Sequence, residues 1–143
     1  MSTDTILPHD SDAEMALLGS LLLDGHFPIA ERQWPQLAWL KGRMFFSERH
    51  ALVFEAIAGV LAAGGAPDVV TVAHELDKRG TWDAVGGGGY LFLLTNRVPT
   101  PLHAEHYAQI VRECWQRREL IRKGTTMVEQ GLNGRARRQS IDL

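Results

Sequence analysis

The 143-residue chain is 45% hydrophobic and 22% charged, which is typical of a single globular domain and excludes a disordered chain. Its net charge of -2 combines an acidic part up to Val111, with 7 Lys/Arg against 13 Asp/Glu, and a basic part from Arg112 onward, with 8 against 4. The single cysteine excludes an internal disulfide framework and favours the cytoplasm, and no apolar run reaches the roughly 20 residues of a membrane span.

The first predicted element is a helix that opens with the sequence "SDAE". This pattern is a capping box, in which the Ser11 hydroxyl accepts a hydrogen bond from the amide of Glu14, and the Glu14 side chain reaches back to the start of the helix. A wide apolar face follows, formed by Met15, Leu17, Leu18, Leu21 and Leu22. Asp24-Gly25 is predicted to end the helix.

A proline-containing stretch, "FPIAERQWPQLAWLKG", separates this helix from the next. Pro28 and Pro35 permit only short helical pieces there. Ser47 can then cap a second long helix, which Gly64-Gly65 stop. In the first turn of that helix, His50 is predicted to be a hydrogen-bonded structural residue rather than a catalyst.

The segment "VVTVAHELDKRG" begins with β-branched residues and could be read as a strand. We predict a helix, because Val72 and Leu76 have helical spacing and the basic residues at the end suit the helix dipole. Thr71 is expected to cap this helix, and Gly80 to terminate it.

Four consecutive glycines in "DAVGGGGYLFLLTN" raise the question of a phosphate loop. A Walker motif needs a lysine and a Ser/Thr directly after the last glycine, where this chain has Tyr90 and Leu91. A dinucleotide fingerprint needs a preceding strand, but "RGTWDA" is typical of a turn. We therefore expect the glycines to serve a tight turn and close packing of the helix at Tyr90, with no cofactor site.

Histidines near the start of the last helix do not form a metal motif. His103 and His106 lie three residues apart, whereas a zinc site needs three or four ligands. We expect both to face solvent. The sequence predicts no metal site and no catalytic residues, so the chain itself is expected not to be an enzyme.

The longest predicted helix covers residues 102–130 and carries a heptad seam that requires a partner helix. The candidate association residues on this seam are Tyr107, Val111, Cys114, Arg118, Ile121, Thr125 and Val128. The sequence thus predicts an all-α fold with a helical head over residues 1–101. The long helix follows as one leg of a helical hairpin, and residues 131–143 form a basic tail that is flexible or truncated.

Basic residues cluster around Trp115 and in the tail. Arginine interleaved with tryptophan is typical of single-strand nucleic-acid binding, through phosphate neutralisation and base stacking. The alternative is that Trp115 is a packing residue. The candidate nucleic-acid contacts are Arg112, Arg117, Arg122, Lys123, Arg135, Arg137 and Arg138.

Five stretches together resemble the N-terminal domain of the bacterial replicative DNA helicase of the DnaB family, in the order and spacing of that family. They cover about Leu7 to Ile121. In chain order they are "PHDSDAEMALLGSLLLD", "FFSERHALVFEAI", "PDVVTVAHELDKRG", "VGGGGYLFLLTNRVPTPLHAEHYAQIV" and "RRELI".

This resemblance implies an all-helical head followed by a helical hairpin, whose first leg is the long helix. In the family, hairpins of two subunits pair, and six domains form a trimer-of-dimers collar on a hexameric helicase. Primase docks on the collar, a helicase loader is a further expected partner, and DNA is contacted through the full assembly. ATP and Mg²⁺ belong to a separate C-terminal motor domain, so a full-length member is an ATP-dependent DNA helicase.

The chain departs from the family pattern in three places. "RQWPQLAWLKGR" carries extra tryptophans and a proline, Met15 replaces the usual glutamine, and no second hairpin leg is recognisable after Gly131. The end after "SIDL" favours a piece of a longer protein. The alternative function is a small stand-alone protein that binds nucleic acid or modulates a helicase.

Overall fold

A computed structural model describes residues 6–24, 34–98 and 100–134, and no β-strand occurs in these ranges. Within the described ranges, three short 3-10 helices lie at Trp34–Leu37, Gly42–Met44 and Pro101–His103. The α-helices are α1 (Ser11–Asp24), α2 (Glu48–Ala62), α3 (Val69–Lys78), α4 (Trp82–Val85), α5 (Gly87–Asn96) and α6 (Ala104–Leu132). The prediction of an all-α fold is confirmed.

Helix α1 is the centre of the fold, because it packs against α2, α5 and α6. Its leucines point in several directions, and a helix that is apolar on most of its sides is stable only when other helices surround it. The leucines Leu17, Leu18, Leu21 and Leu22 are all buried. Helix α3 covers the other side of α2 and also touches α5, which completes the head.

The start of α1 differs from the predicted capping box, which was wrong. Asp10 caps the helix, since its Oδ1 accepts from the backbone N–H of Ala13 at 2.9 Å. Ser11 lies inside the first turn with its side chain exposed, and Glu14 is buried in the head instead of reaching back to the helix start. An acidic residue directly before the predicted cap offered the same chemistry one position earlier.

The predicted helix at "VVTVAHELDKRG" is confirmed as α3, but its predicted cap was wrong. Asp68 is the capping residue: its Oδ1 accepts from Thr71 N at 2.8 Å, and Thr71 Oγ1 accepts from Asp68 N at 2.9 Å. The helix therefore begins at Val69, so that Thr71 lies within its first turn. Gly80 follows the end of the helix with φ +73°, and Ser47 caps α2 as predicted.

The glycine run forms the junction between α4 and α5. Gly86 and Gly87 have φ values of +102° and +68°, which side chains rarely adopt. A Cβ on Gly87 or Gly88 would stand 3.5–3.6 Å from the indole of Trp82, so the absence of side chains lets α5 begin close to this ring. The expected role of the glycines in turning and packing is confirmed.

Helix α6 has two parts with different surroundings. Its first half packs against α1, whereas every residue from Arg122 to Gly134 is exposed. The helix ends at Leu132, two residues beyond the predicted end, so the predicted tail begins inside it at Gly131. None of the helices in the described ranges is long and apolar enough to cross a membrane.

Helices α1 and α5 touch backbone to backbone at Gly19, where a Cβ would lie 2.1 Å from the carbonyl oxygen of Leu94. We expect Gly19→Ala to force the helices apart and to lower the free energy of unfolding by about 1–3 kcal/mol. The matched control is Gly89→Ala on α5, where no atom lies within 4 Å of the added Cβ and stability should hold or rise. Urea unfolding measures both, and equal stabilities would contradict the close contact.

Candidate association surface

The orientation of α6 depends on a turn, Met44–Ser47, that precedes α2. On one side of it lies Glu14, whose side chain is 2% exposed. Glu14 Oε2 accepts from Phe46 N at 2.7 Å, and Oε1 accepts from Ser47 N at 3.3 Å. These bonds satisfy a carboxylate that is costly to bury alone, and they fix the turn to α1.

His50 extends the Glu14 site to α5. Its Nδ1 lies 2.8 Å from Glu14 Oε1, and its Nε2 forms a hydrogen bond with the hydroxyl of Tyr90. Burial raises the pKa of Tyr90, although the Arg49 guanidinium over its ring partly offsets this, so the phenol is protonated and can donate to Nε2. The prediction that His50 is a hydrogen-bonded structural residue is confirmed.

On the other side of the turn lies Arg118 of α6, which is 1% exposed. Its Nη2 donates to Met44 O at 2.8 Å, and its Nη1 donates to Pro8 O at 2.9 Å. Burial lowers the pKa of Arg118, and the Glu14 carboxylate partly offsets this effect. A buried anion and a buried cation therefore hold opposite sides of one turn, and the cation belongs to α6.

Burial of the seam residues on α6 changes along the helix. Val111 and Arg118 are buried within the chain, and Tyr107, Cys114 and Ile121 are half-buried against the head. Burial raises the pKa of the Cys114 thiol, to which Asp10 also contributes, in agreement with a packing role. The remaining seam residues, Thr125 and Val128, are exposed.

Beyond the head, α6 exposes further apolar side chains that the heptad analysis did not include. At 3.6 residues per turn, Leu120 and Met127 lie on one stripe along α6, and Val128 and Leu132 lie on a second stripe next to it. These four side chains are between 62% and 84% exposed. The four residues and Ile121 form what we call the distal face. A helical-wheel projection of residues 120–132 would have identified it from the sequence.

The candidate nucleic-acid residues have different environments. The guanidinium of Arg112 lies 4.2 Å from the ring centroid of Trp39, a cation–π contact. Arg122 forms an ion pair with Glu119 at 2.6 Å. Arg117 and Lys123 are exposed. Trp115 packs against the core, as the alternative interpretation expected. The candidates Arg135, Arg137 and Arg138 lie outside the described residues.

No group of three or more His, Cys, Asp or Glu side chains in the described residues is arranged to hold a metal ion. His103 and His106 are exposed, as expected for solvent-facing residues.

Comparison with known proteins identifies similar sequences along most of the chain. A family model described as the DnaB-like helicase N terminal domain matches residues 6–113. The chain is 38% identical over 129 residues to the replicative DNA helicase DnaB of Mycobacterium leprae, covering 89% of this chain and 20% of that protein. It is 36% identical over 138 residues to that of Leifsonia xyli, covering 95% and 28%. The chain thus spans less than a third of these relatives.

Solved structures share the fold. The crystal structure of the N-terminal domain of DnaB helicase from Mycobacterium tuberculosis is 34% identical, with a TM-score of 0.82, and the match covers 96% of this chain and all of that one. A structure of a DnaB-like replicative helicase, concerned with its interactions with primase, has a TM-score of 0.72 over 93% of this chain and 30% of that one. At 22% identity, this second likeness concerns the fold alone.

We expect Glu14→Gln to lower the free energy of unfolding by about 1–3 kcal/mol, because an amide has one acceptor oxygen and its NH₂ group would face backbone N–H donors. Urea unfolding followed by tryptophan fluorescence measures the loss. The matched control is Asp12→Asn, which breaks an exposed ion pair with Arg97 and should change stability by less than about 1 kcal/mol. Similar small effects of both substitutions would show that the Glu14 site is not a stabilising anchor.

Proposed function

Because this chain belongs to the DnaB-like helicase N-terminal domain family, we propose that it acts as the non-catalytic collar domain of a replicative DNA helicase. Its activity is to associate with further copies and to bind a replication partner. The observation that carries this proposal is the distal face of α6, which exposes apolar side chains beyond the end of the head.

The distal face is suited to contact with another helix. Its five residues lie on adjacent stripes of one straight α-helix, so that a partner helix can cover them together. Burial of a Leu or Met side chain contributes about 1.5–3 kcal/mol, so a few such residues provide a substantial part of the association free energy. We propose a dimer of these domains, which becomes a trimer of dimers when six subunits form a ring.

We assign the catalytic parts of such a helicase to sequence beyond this chain. The relatives are several times longer than the matched region, and ATP and Mg²⁺ would bind in their remaining portion. In this proposal the collar organises the ring and recruits partners, and the motor hydrolyses ATP. We place this function in the cytoplasm.

We propose primase, rather than a loader, as the partner that binds the head. A groove of about 390 Å³ runs between α3 and α5, and its lining includes Val70, Trp82 and Phe92. Val70 and Phe92 are 65% and 61% exposed, so two large apolar side chains reach solvent in one groove, as at a protein-binding surface. Asp77 lines the same groove and would favour a basic segment of the partner.

We expect Met127→Glu to weaken self-association at least about tenfold, because a carboxylate would enter an apolar contact between helices. Sedimentation velocity over a range of protein concentrations measures the dissociation constant. Phe92→Glu is the matched control, since it changes an equally exposed apolar residue on the head and should leave association unchanged. A wild-type chain that stays monomeric at high concentration would contradict the collar proposal.

For primase binding, we expect Phe92→Glu to weaken the complex by about tenfold or more, since it places a charge in the apolar groove. Titration calorimetry with purified primase from the same organism measures the affinity. Leu102→Glu is the control, because Leu102 is 64% exposed and does not line this groove. If both variants bind primase like the wild type, the docking surface lies elsewhere.

A further inference from the structure

Tryptophan and arginine side chains interleave where the segment Trp34–Met44 meets α6. The Arg112 guanidinium of α6 lies 4.2 Å from the ring centroid of Trp39 in this segment. A second pair has the roles reversed: the arginine, Arg43, belongs to the segment, and its guanidinium lies 5.7 Å from the ring centroid of Trp115 on α6. Two cation–π pairs therefore cross the same junction, and each holds a positive charge beside an aromatic ring.

Each member of the Arg43–Trp115 pair lines an open groove. The first has a volume of about 530 Å³ and lies on the Arg43 side. The second has a volume of about 470 Å³ and lies on the Trp115 side. The first is lined by residues that include Trp34, Lys41, Arg43, Phe54 and Glu55, and the second by Trp115, Gln116, Glu119, Leu120 and Lys123. An extended ligand that contacts this pair can therefore reach both grooves.

The junction carries an excess of positive charge. Lys41, Arg43 and Lys123 line the grooves, and Arg112 lies over the ring of Trp39 at the same junction. The acidic residues that line them are Glu55 and Glu119. The charge of Glu119 is offset by its ion pair with Arg122 at 2.6 Å. This excess contrasts with the rest of the head, because the chain up to Val111 has 7 Lys/Arg against 13 Asp/Glu.

We propose that this tryptophan–arginine surface, formed by Trp39, Lys41, Arg43, Arg112, Trp115 and Lys123, binds single-stranded nucleic acid. The cations neutralise phosphates along the two grooves, and bases stack on the outer faces of the guanidinium–indole pairs. An acidic peptide would use the cations but would gain nothing specific from the rings, so the pairing of both features favours nucleic acid. The second groove includes Leu120 of the distal face, so nucleic acid and a partner helix would compete at that residue, whereas the groove proposed for primase has a different lining.

The test is fluorescence anisotropy of a labelled oligothymidylate of about 12 nucleotides, a length within the site sizes of single-strand binding domains. The 143-residue chain is titrated at several salt concentrations. We expect Trp115→Leu to reduce affinity about fivefold or more through lost stacking, with an unchanged salt dependence. Arg43→Ala and Lys41→Ala should each reduce the slope of log K against log salt by about 0.7, the value for one phosphate contact on a single strand.

The control variant is Lys78→Ala on α3, an exposed lysine that lines a different groove and should leave binding unchanged. A second control replaces Arg135, Arg137 and Arg138 by alanine, which separates binding by the tail from binding by the surface. Circular dichroism establishes that each variant is folded. Should Trp115→Leu unfold, Arg43→Ala still tests the surface, because its side chain is exposed and its removal should not disturb the fold.

Three results would overturn the proposal. The first is that the wild type fails to bind the oligonucleotide at low salt. The second is that the three variants are folded and bind like the wild type: Trp115→Leu, Arg43→Ala and Lys41→Ala. The third is that polyglutamate competes as well as unlabelled oligonucleotide does. The last result would identify an acidic-peptide site. Sedimentation of the same samples reports on the collar proposal separately, so that the two ideas can fail independently.

Discussion

The Met44–Ser47 turn lies between the carboxylate of Glu14 and the guanidinium of Arg118, both buried, and the arrangement of α1, α2 and α6 depends on this contact. Each ion bonds to the backbone of the turn, so neither can be removed without leaving backbone groups unsatisfied in the interior. Because Glu14 belongs to α1 and Arg118 to α6, both helices are bonded to the same turn, and the position of α1 fixes that of α6.

The same contact determines where the two proposed binding surfaces lie. Arg118 is the last fully buried residue of α6 among those described, and the distal face begins directly after it. The segment before the turn is held against α6 at the same level, which brings Arg43 to Trp115 and Arg112 to Trp39. The distal face proposed for helix association and the tryptophan–arginine surface proposed for nucleic acid thus lie next to each other on α6.

Local patterns predicted the fold well because its helices have strong caps, apolar faces and glycine ends. The errors lay where two residues offered the same chemistry: Asp10 and Ser11 for α1, and Asp68 and Thr71 for α3. The role of Glu14 could not be predicted locally, since its partners Phe46, Ser47 and His50 are more than thirty residues away. Heptad spacing likewise could not reveal that Arg118 faces the head, because spacing specifies a side of a helix and not its neighbour.

The exposed end of α6 has a thermodynamic consequence. Residues Arg122–Leu132 have no support from the head and contain two glycines, each of which costs about 1 kcal/mol in a helix. A short unsupported helix of this kind is marginal in water, so in the proposed dimer the partner helix also supplies the free energy that orders it. In the proposed dimer, helix formation at this end and contact between subunits are a single coupled equilibrium, so that the helical content of the free chain would respond to its own concentration.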